Sequence, residues 1–300
     1  MFGESHDTVP VRQPKAYDSG PPSIAENRPV SAQREVSIER RRDAGREVRV
    51  DLVAVEDPLE IRLSHAGLGP APVTLSLTMR TPGHDAELAL GYLYCESVIA
   101  ERSQVVGVAA CAGNARALRV ELTGPVPDLS PLQRVGTLSS SCGVCGKTSL
   151  ESVTAVSAAR PVGGTGTIED AVLRVLPGRL RAAQATFALT GGLHGVGLFD
   201  FAGNLLAARE DVGRHNALDK LIGHALLQGG LPFTDHVLLL SGRASFELLQ
   251  KAAMAGASIV AAVGAPSSLA IEMAQAAGIT LVGFLNERGF NVYTHGERIR

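Results

Sequence analysis

Two cysteines three positions apart, Cys142 and Cys145, stand in SSSCGVCGKTS, a stretch of serine and glycine with little to pack against. A thiol in such company is a metal ligand, half of a redox pair, or a nucleophile. Structural cysteines are normally buried, so a purely structural role fits this polar context poorly. Zinc would need two further ligands. The other two cysteines, Cys95 and Cys111, fall in an apparently amphipathic helical pattern and a strand pattern, and the histidines are scattered. Zinc-deaminase chemistry wants H-x-E with P-C-x-x-C, but His215 is followed by Asn216-Ala217 and Ser141 precedes Cys142. A thioredoxin-like dithiol opens a helix directly after a strand. Here three serines lead in, and Gly143, Gly146 and Lys147 surround the pair. The third reading is a thiolate on a mobile arm. Glycines uncover the sulfur, while Lys147 and nearby backbone N–H groups favour the nucleophilic form. Such a thiol could accept sulfur as a persulfide and swing it to an acceptor.

A second polar cluster is REDVGRHNALDK, Arg209 to Lys220. Asp211, His215 and Asp219 are spaced i, i+4, i+8, so a helix would put them on one face. His215, and His194 in TGGLHG, could each be a general base or a ligand contact. The alternative is capping and solvated ion pairs. Three turns add a third feature: SGRAS with Ser241 and Arg243, GAPSS with Gly264 and Ser267, and NERGF with Arg288. Each follows an apolar strand-like run, and two lead into helices. Helix N-termini favour phosphate, and arginine forks onto it. Three such turns on one edge fit a phosphorylated, nucleotide-like ligand, against plain structural turns.

These residues must be held by a scaffold. After GRHNALDKLIGHALLQG, a helix stopped by Gly229-Gly230, the chain alternates HVLLL, SFELLQKAAMAG, SIVAAV, SLAIEMAQAAG, TLVGFL and NVYTH. Alternating strands and helices with short connections predict a parallel sheet with covered faces and ligands beyond its strand ends. The expected class is α/β, with a three-layer, mostly parallel C-terminal domain over 150–300. TFALTGGLHGVGLFD and LLAARED read as a strand pair. A small α+β subdomain is expected over 46–137, with strands in VRVDLVAVEDPLEIRL and VTLSLTMRT. It also has a helix over AELALGYLYCESV capped by Asp85, and an antiparallel pair VVGVAAC and ALRVELTG. The Cys-x-x-Cys loop spans 138–149. Residues 1–45 read as a disordered extension, its Arg-rich end a solvated face or edge strand.

Composition excludes other classes. The 300 residues are 45% hydrophobic, enough for a real core, and the net charge of -2 gives no global pull toward nucleic acid or membrane. Aromatics are 4% with no tryptophan, which argues against stacking on single strands. No apolar h-region follows Met1, and the apolar run from Ala252 to Ile271 is cut by Gly264-Ala265-Pro266. A soluble cytoplasmic protein is expected.

SSSCGVCGK resembles the cysteine loop of the formate dehydrogenase accessory sulfurtransferases, the FdhD/NarQ family. RTPGHDAELALGYLYCESVI, TGGLHGVGLFD, AREDVGRHNALDKLIG, LSGRASFELLQKAAMAG, VGAPSSLAIEMAQAAGITLVGFL and NVYTH are similar to the family's blocks, in order. The resemblance runs from about Asp51 to the C-terminus. It implies that a cysteine desulfurase passes sulfur to Cys142 as a persulfide, with Cys145 an auxiliary partner. The sulfur then reaches the metal of a Mo-bis(molybdopterin guanine dinucleotide) cofactor destined for formate dehydrogenase. It also implies a cofactor-binding stretch at Phe284, Leu285, Asn286, Glu287, Arg288 and Gly289, no intrinsic metal, a homodimer and a cytidine deaminase-like fold. Glu287, an acid beside expected phosphates, departs from a simple phosphate site. The rival readings are a non-catalytic cofactor-binding chaperone and a small zinc-binding interaction protein.

Overall fold

The computed structural model describes residues 23–25, 31–43, 45–129, 132 and 164–300. The chain begins with β1 (Ser23–Ala25) and a hairpin of β2 (Gln33–Arg42) and β3 (Gly45–Ala54), followed by β4 (Asp57–Ser64) and β5 (Val73–Arg80). Helix α1 (Asp85–Cys95) and the pair β6 (Val105–Cys111) and β7 (Asn114–Leu122) complete the first half. The second half runs α2 (Asp170–Ala183), α3 (Ala185–Thr190), β8 (His194–Phe199), β9 (Leu205–Asp211) and α4 (Arg214–Gln228). It then alternates: β10 (Val237–Leu240), α5 (Phe246–Met254), β11 (Ile259–Ala262), α6 (Ser268–Ala277), β12 (Thr280–Asn286) and β13 (Gly289–Thr294).

β1, β6, β7, β4 and β5 form one sheet in that order, and the second sheet runs β13-β12-β11-β10-β8-β9. β10, β11 and β12 are parallel, while β8, β9 and β13 join antiparallel at the two edges. The sheet is therefore mixed, with a parallel centre. VLLL of β10 and IVAA of β11 are buried throughout, as strands covered on both faces must be. Alternate residues go to opposite layers. Val237 and Leu239 join Leu173, Leu176 and Leu180 of α2 in one cluster. Leu238 and Leu240 join α4 and α5 in the other, which gives three layers.

The larger cluster also contains Leu59, Ile61 and Leu63 of β4 and Leu88, Leu90 and Leu93 of α1, so both halves share one core. The junction is the α1–α4 crossing. A Cβ on Gly91 would lie 1.8 Å from the Asp219 carbonyl oxygen, and one on Gly223 would lie 1.8 Å from the Glu87 carbonyl oxygen. Only glycine at both positions lets the two backbones come this close.

Several expectations change. Residues 33–42 are strand, not disordered extension, and Ser23–Ala25 pairs parallel with β6. The Arg-rich stretch is thus a strand of an exposed hairpin, in keeping with its solvated reading. Thr186–Thr190 is helical rather than strand. The Glu210 carboxylate accepts from the N–H groups of Thr186 (3.0 Å) and Phe187 (2.8 Å), and Gly191 closes α3 in the left-handed region. Helix α2 has no counterpart in the sequence reading, because Pro177 and Gly178 interrupt its pattern. α1 is buried on nearly all sides instead of amphipathic. Asp85 is its first residue and not its cap: His84 takes the left-handed cap position, and Asp85 is committed to Arg80. No described helix is long and apolar enough to cross a membrane.

Candidate functional site

The ends of β10, β11 and β12 lie side by side, and the turns leaving them are stitched together through backbone groups. Gly264 N–H donates to the Gly242 carbonyl (2.9 Å), Ala244 N–H to Ala265 (3.2 Å), Ser267 N–H to Ala244 (3.0 Å) and Phe284 N–H to Gly264 (3.1 Å). Gly264 must be glycine for a local reason: a Cβ would sit 2.9 Å from the Arg243 amide nitrogen. Phe284 holds a positive φ of 55°, which turns its half-exposed ring out at this edge. Most of the sequence-predicted contacts thus meet on one edge, and Arg243, Ser267, Asn286, Glu287 and Arg288 are exposed there.

Three of the predicted residues do structural work. The Ser241 hydroxyl accepts from the Gly195 N–H (2.8 Å), tying the turn to β8. Ser267 caps α6 by accepting from the Ala270 N–H. Asn286 shapes the β12–β13 turn: its amide donates to the Phe284 carbonyl (2.8 Å) and its oxygen accepts from the Arg288 N–H (2.9 Å). Gly289 pairs with Asn286 across that turn. Leu285 faces the α2 layer and is fully buried, so it presents only backbone to a ligand.

Next to the turns is a cavity of about 550 Å³ lined by Glu56, His194, Arg214, His215 and Asn216, with Met79 among its apolar walls. His194 opens β8 close to Gly242, where a Cβ would lie 3.3 Å from its Nδ1. Burial lowers the pKa of His194, and the nearby charges of Arg214, His215 and Arg243 act in the same direction. At neutral pH its ring is therefore uncharged and keeps one acceptor nitrogen. His215 Nε2 lies 3.2 Å from Glu247 Oε2 and 3.5 Å from Ser245 Oγ, and Ser245 Oγ donates to Glu247 (3.1 Å). Burial works to raise the pKa of Glu247, but hydrogen bonds from His215 and Ser245 and the His215 charge lower it overall. An ionised Glu247 holds the His215 ring through its Nε2, at the wall of the cavity. A smaller adjoining space of about 280 Å³ shares His215 and Asn216.

The expected single face of Asp211, His215 and Asp219 does not exist. Asp211 lies before α4, fully buried, 2.7 Å from Lys220 Nζ. It accepts from Thr81 N–H (3.0 Å), Gly213 N–H (2.8 Å) and Asn216 Nδ2 (3.1 Å). Lys220 Nζ also donates to the Thr81 carbonyl at 2.8 Å. This network pins the end of β5 to the start of α4. Asp219 pairs with Lys251 at 2.7 Å, beneath the crossing with α1. Of the three, only His215 faces the cavity.

Ser245, Glu247, Arg214 and Asn216 were not anticipated. Nothing local to Ser245-Phe246-Glu247 distinguishes it from an ordinary helix start. Its meaning comes from His215, thirty residues away in sequence. Cys142, Cys145 and Lys147 lie outside the described residues. Cys95 is buried, which pushes its thiol pKa up, and Cys111 is half-buried; both are free.

A family profile described as the FdhD/NarQ family matches residues 54–300. The chain belongs to that family. The sulfur carrier protein FdhD of Mycobacterium tuberculosis is 49% identical over 263 residues, covering 84% of this chain and 92% of that protein. Its namesake in Nocardia farcinica is 47% identical, covering 90% of this chain and 95% of its own length. The Sulfolobus acidocaldarius protein of the same name is 40% identical over 89% and 98%. Among solved structures, a protein described as a formate dehydrogenase accessory protein from Desulfotalea psychrophila superposes with a TM-score of 0.70. It is 22% identical and the match covers 90% of this chain and all of that one, which establishes the shared fold.

Proposed function

We propose that this protein is a sulfur carrier that takes persulfide sulfur from a cysteine desulfurase and delivers it to a Mo-bis(molybdopterin guanine dinucleotide) cofactor bound for formate dehydrogenase. The cofactor is cargo, and the protein works in the cytoplasm as a homodimer. The observation that carries the reading is the stitched edge at Gly242–Ala244, Gly264–Ser267 and Phe284–Arg288, which offers exposed arginines and two helix starts to a phosphorylated ligand. The membership of a family whose curated relatives are named sulfur carriers supports the same reading.

In the loading step, the Cys142 thiolate attacks the terminal sulfur of the desulfurase persulfide. A new S–S bond forms on Cys142, and the donor's cysteine leaves as thiolate, with no net oxidation. Release of that sulfur as sulfide takes two electrons, supplied when a second thiol closes a disulfide with Cys142. Cys145, three residues on, is the candidate for that thiol. Arg243 and Arg288 bind phosphate, while His215, held by Glu247, and neutral His194 face the acceptor from the neighbouring cavity. The test is mass spectrometry of Cys142 after incubation with a desulfurase and cysteine, where one added sulfur is expected. A Cys142→Ala variant that still supports active formate dehydrogenase would leave only the chaperone reading standing.

A further inference from the structure

A second cavity, of about 480 Å³, lies away from the strand-end edge. Thr234, which lines it, precedes β10 by three residues, whereas the cofactor edge follows that strand. The four-residue strand alone separates the two by roughly 13 Å at ~3.3 Å per residue. Its walls are mostly apolar, with Tyr94, Leu226, Leu231, Pro232 and Met254 contributing. The charged groups at its rim are Glu101 and Arg102. Glu101 is already committed, since its carboxylate caps the short 3-10 turn Arg102–Gln104 while Gln104 reaches back to its own N–H. Arg102 is different. Its half-buried side chain lines the cavity, and no described residue forms an ion pair with it. A guanidinium standing unpaired at a mostly apolar wall favours a carboxylate, with which it forms a charge-assisted hydrogen bond.

We infer that this cavity is a second ligand site, for a small molecule with an apolar body and a single carboxylate that pairs with Arg102. The volume suits such a ligand. A nucleotide fits poorly, because Arg102 is the one cation among the described lining residues and the rest of that lining is mostly apolar. The carbonyl ends of α4 and α5 reach the rim at Gly229 and Gly256, and their negative dipole ends confine the anionic head to the Arg102 side.

The experiment uses the full-length protein and 8-anilinonaphthalene-1-sulfonate, a fluorescent apolar anion, as the probe, with octanoate and octanol as competitors. Expected is saturable binding of one probe per chain, displaced at least about ten-fold better by octanoate than by octanol. Arg102→Gln should weaken probe binding by about ten-fold and erase the preference for octanoate. Ala100→Trp, a substitution at an exposed rim position, should block binding sterically. Guanine-nucleotide affinity and far-UV circular dichroism should not change in either variant, which separates this site from the cofactor edge and from misfolding. Absence of saturable binding, or probe affinity unchanged in both variants, overturns the proposal.

Discussion

Gly91→Ala puts one methyl group into the narrowest point of the protein, and its cost can be worked out. The added carbon would start 1.8 Å from the Asp219 carbonyl oxygen, and ordinary contact begins near 3.4 Å, so α1 and α4 must part by 3.4 − 1.8 = 1.6 Å along that line. Helices pack at about 8–10 Å, so this is a large fraction of the clearance. It also loosens the Leu88, Leu90, Leu218 and Leu221 packing on both sides. Overpacking costs about 1–3 kcal/mol, and the separation required places this case at the top, about 3 kcal/mol. The helix gains about 1 kcal/mol from losing a glycine. The net loss is about 2 kcal/mol, or a Tm roughly 3–4 °C lower for a chain of this size. Gly178→Ala is the control. It is also helical, but a Cβ there meets nothing within 4 Å, so the same exchange should raise stability by about 0.5–1 kcal/mol. Thermal unfolding followed by circular dichroism reads both. A Gly91→Ala protein that melts at or above the parent temperature refutes the reasoning.

Three further outcomes follow from the described contacts. Burial acts to raise the Glu87 pKa, but bonds from Arg209 and His84 outweigh it and hold the value at about 2, below the ordinary 4.5. Its contribution, on the order of 3 kcal/mol, is therefore complete above pH ~4.5 and lost as pH falls toward 2, and urea titrations of Glu87→Gln should show a flatter acid limb than the parent. An identical limb counts against the pair. Asp211→Ala strands Lys220 in the interior and should cost about 3–5 kcal/mol in denaturant unfolding; a loss under 1 kcal/mol would show that the network is not needed. Gly264→Val drives side-chain carbons against the Arg243 backbone, and together with Arg288→Ala it should weaken guanine-nucleotide binding in calorimetry. If both variants bind as the parent does, the phosphate site lies elsewhere.

The alternating half of the molecule was readable from sequence because its signals are local. Continuous apolar runs such as VLLL and IVAA, punctuated by glycine, specify buried strands wherever they occur, and the turns that follow them fall on one edge as a result. Long-range partners carried no such signal. Glu210 is an unremarkable strand residue until it caps α3, and Asp211 shows helical spacing with His215 although it stands before the helix and answers to Thr81 and Lys220. In α2, the local rule about Pro177 and Gly178 pointed away from helix, and the burial of Leu173, Leu176 and Leu180 against the sheet overrode it. Cys142 and Cys145 lie outside the described residues, and their spacing alone left zinc, dithiol and thiolate readings open until the family resemblance was added. The His215–Ser245–Glu247 arrangement was not legible, because it depends on two helices meeting.

The burial of α1 on nearly all sides has a consequence for how the protein is made. As the chain leaves the ribosome, β4, β5, β6 and β7 can pair early, but the outer side of α1 has no cover until α4 is synthesised more than a hundred residues later. The nascent first half therefore leaves the Glu87–Gly91 side of α1 uncovered during that interval, and incompletely covered cores of this kind are where nascent chains aggregate. Every folded copy must close this contact across a long sequence separation, and contacts of that kind slow folding in general.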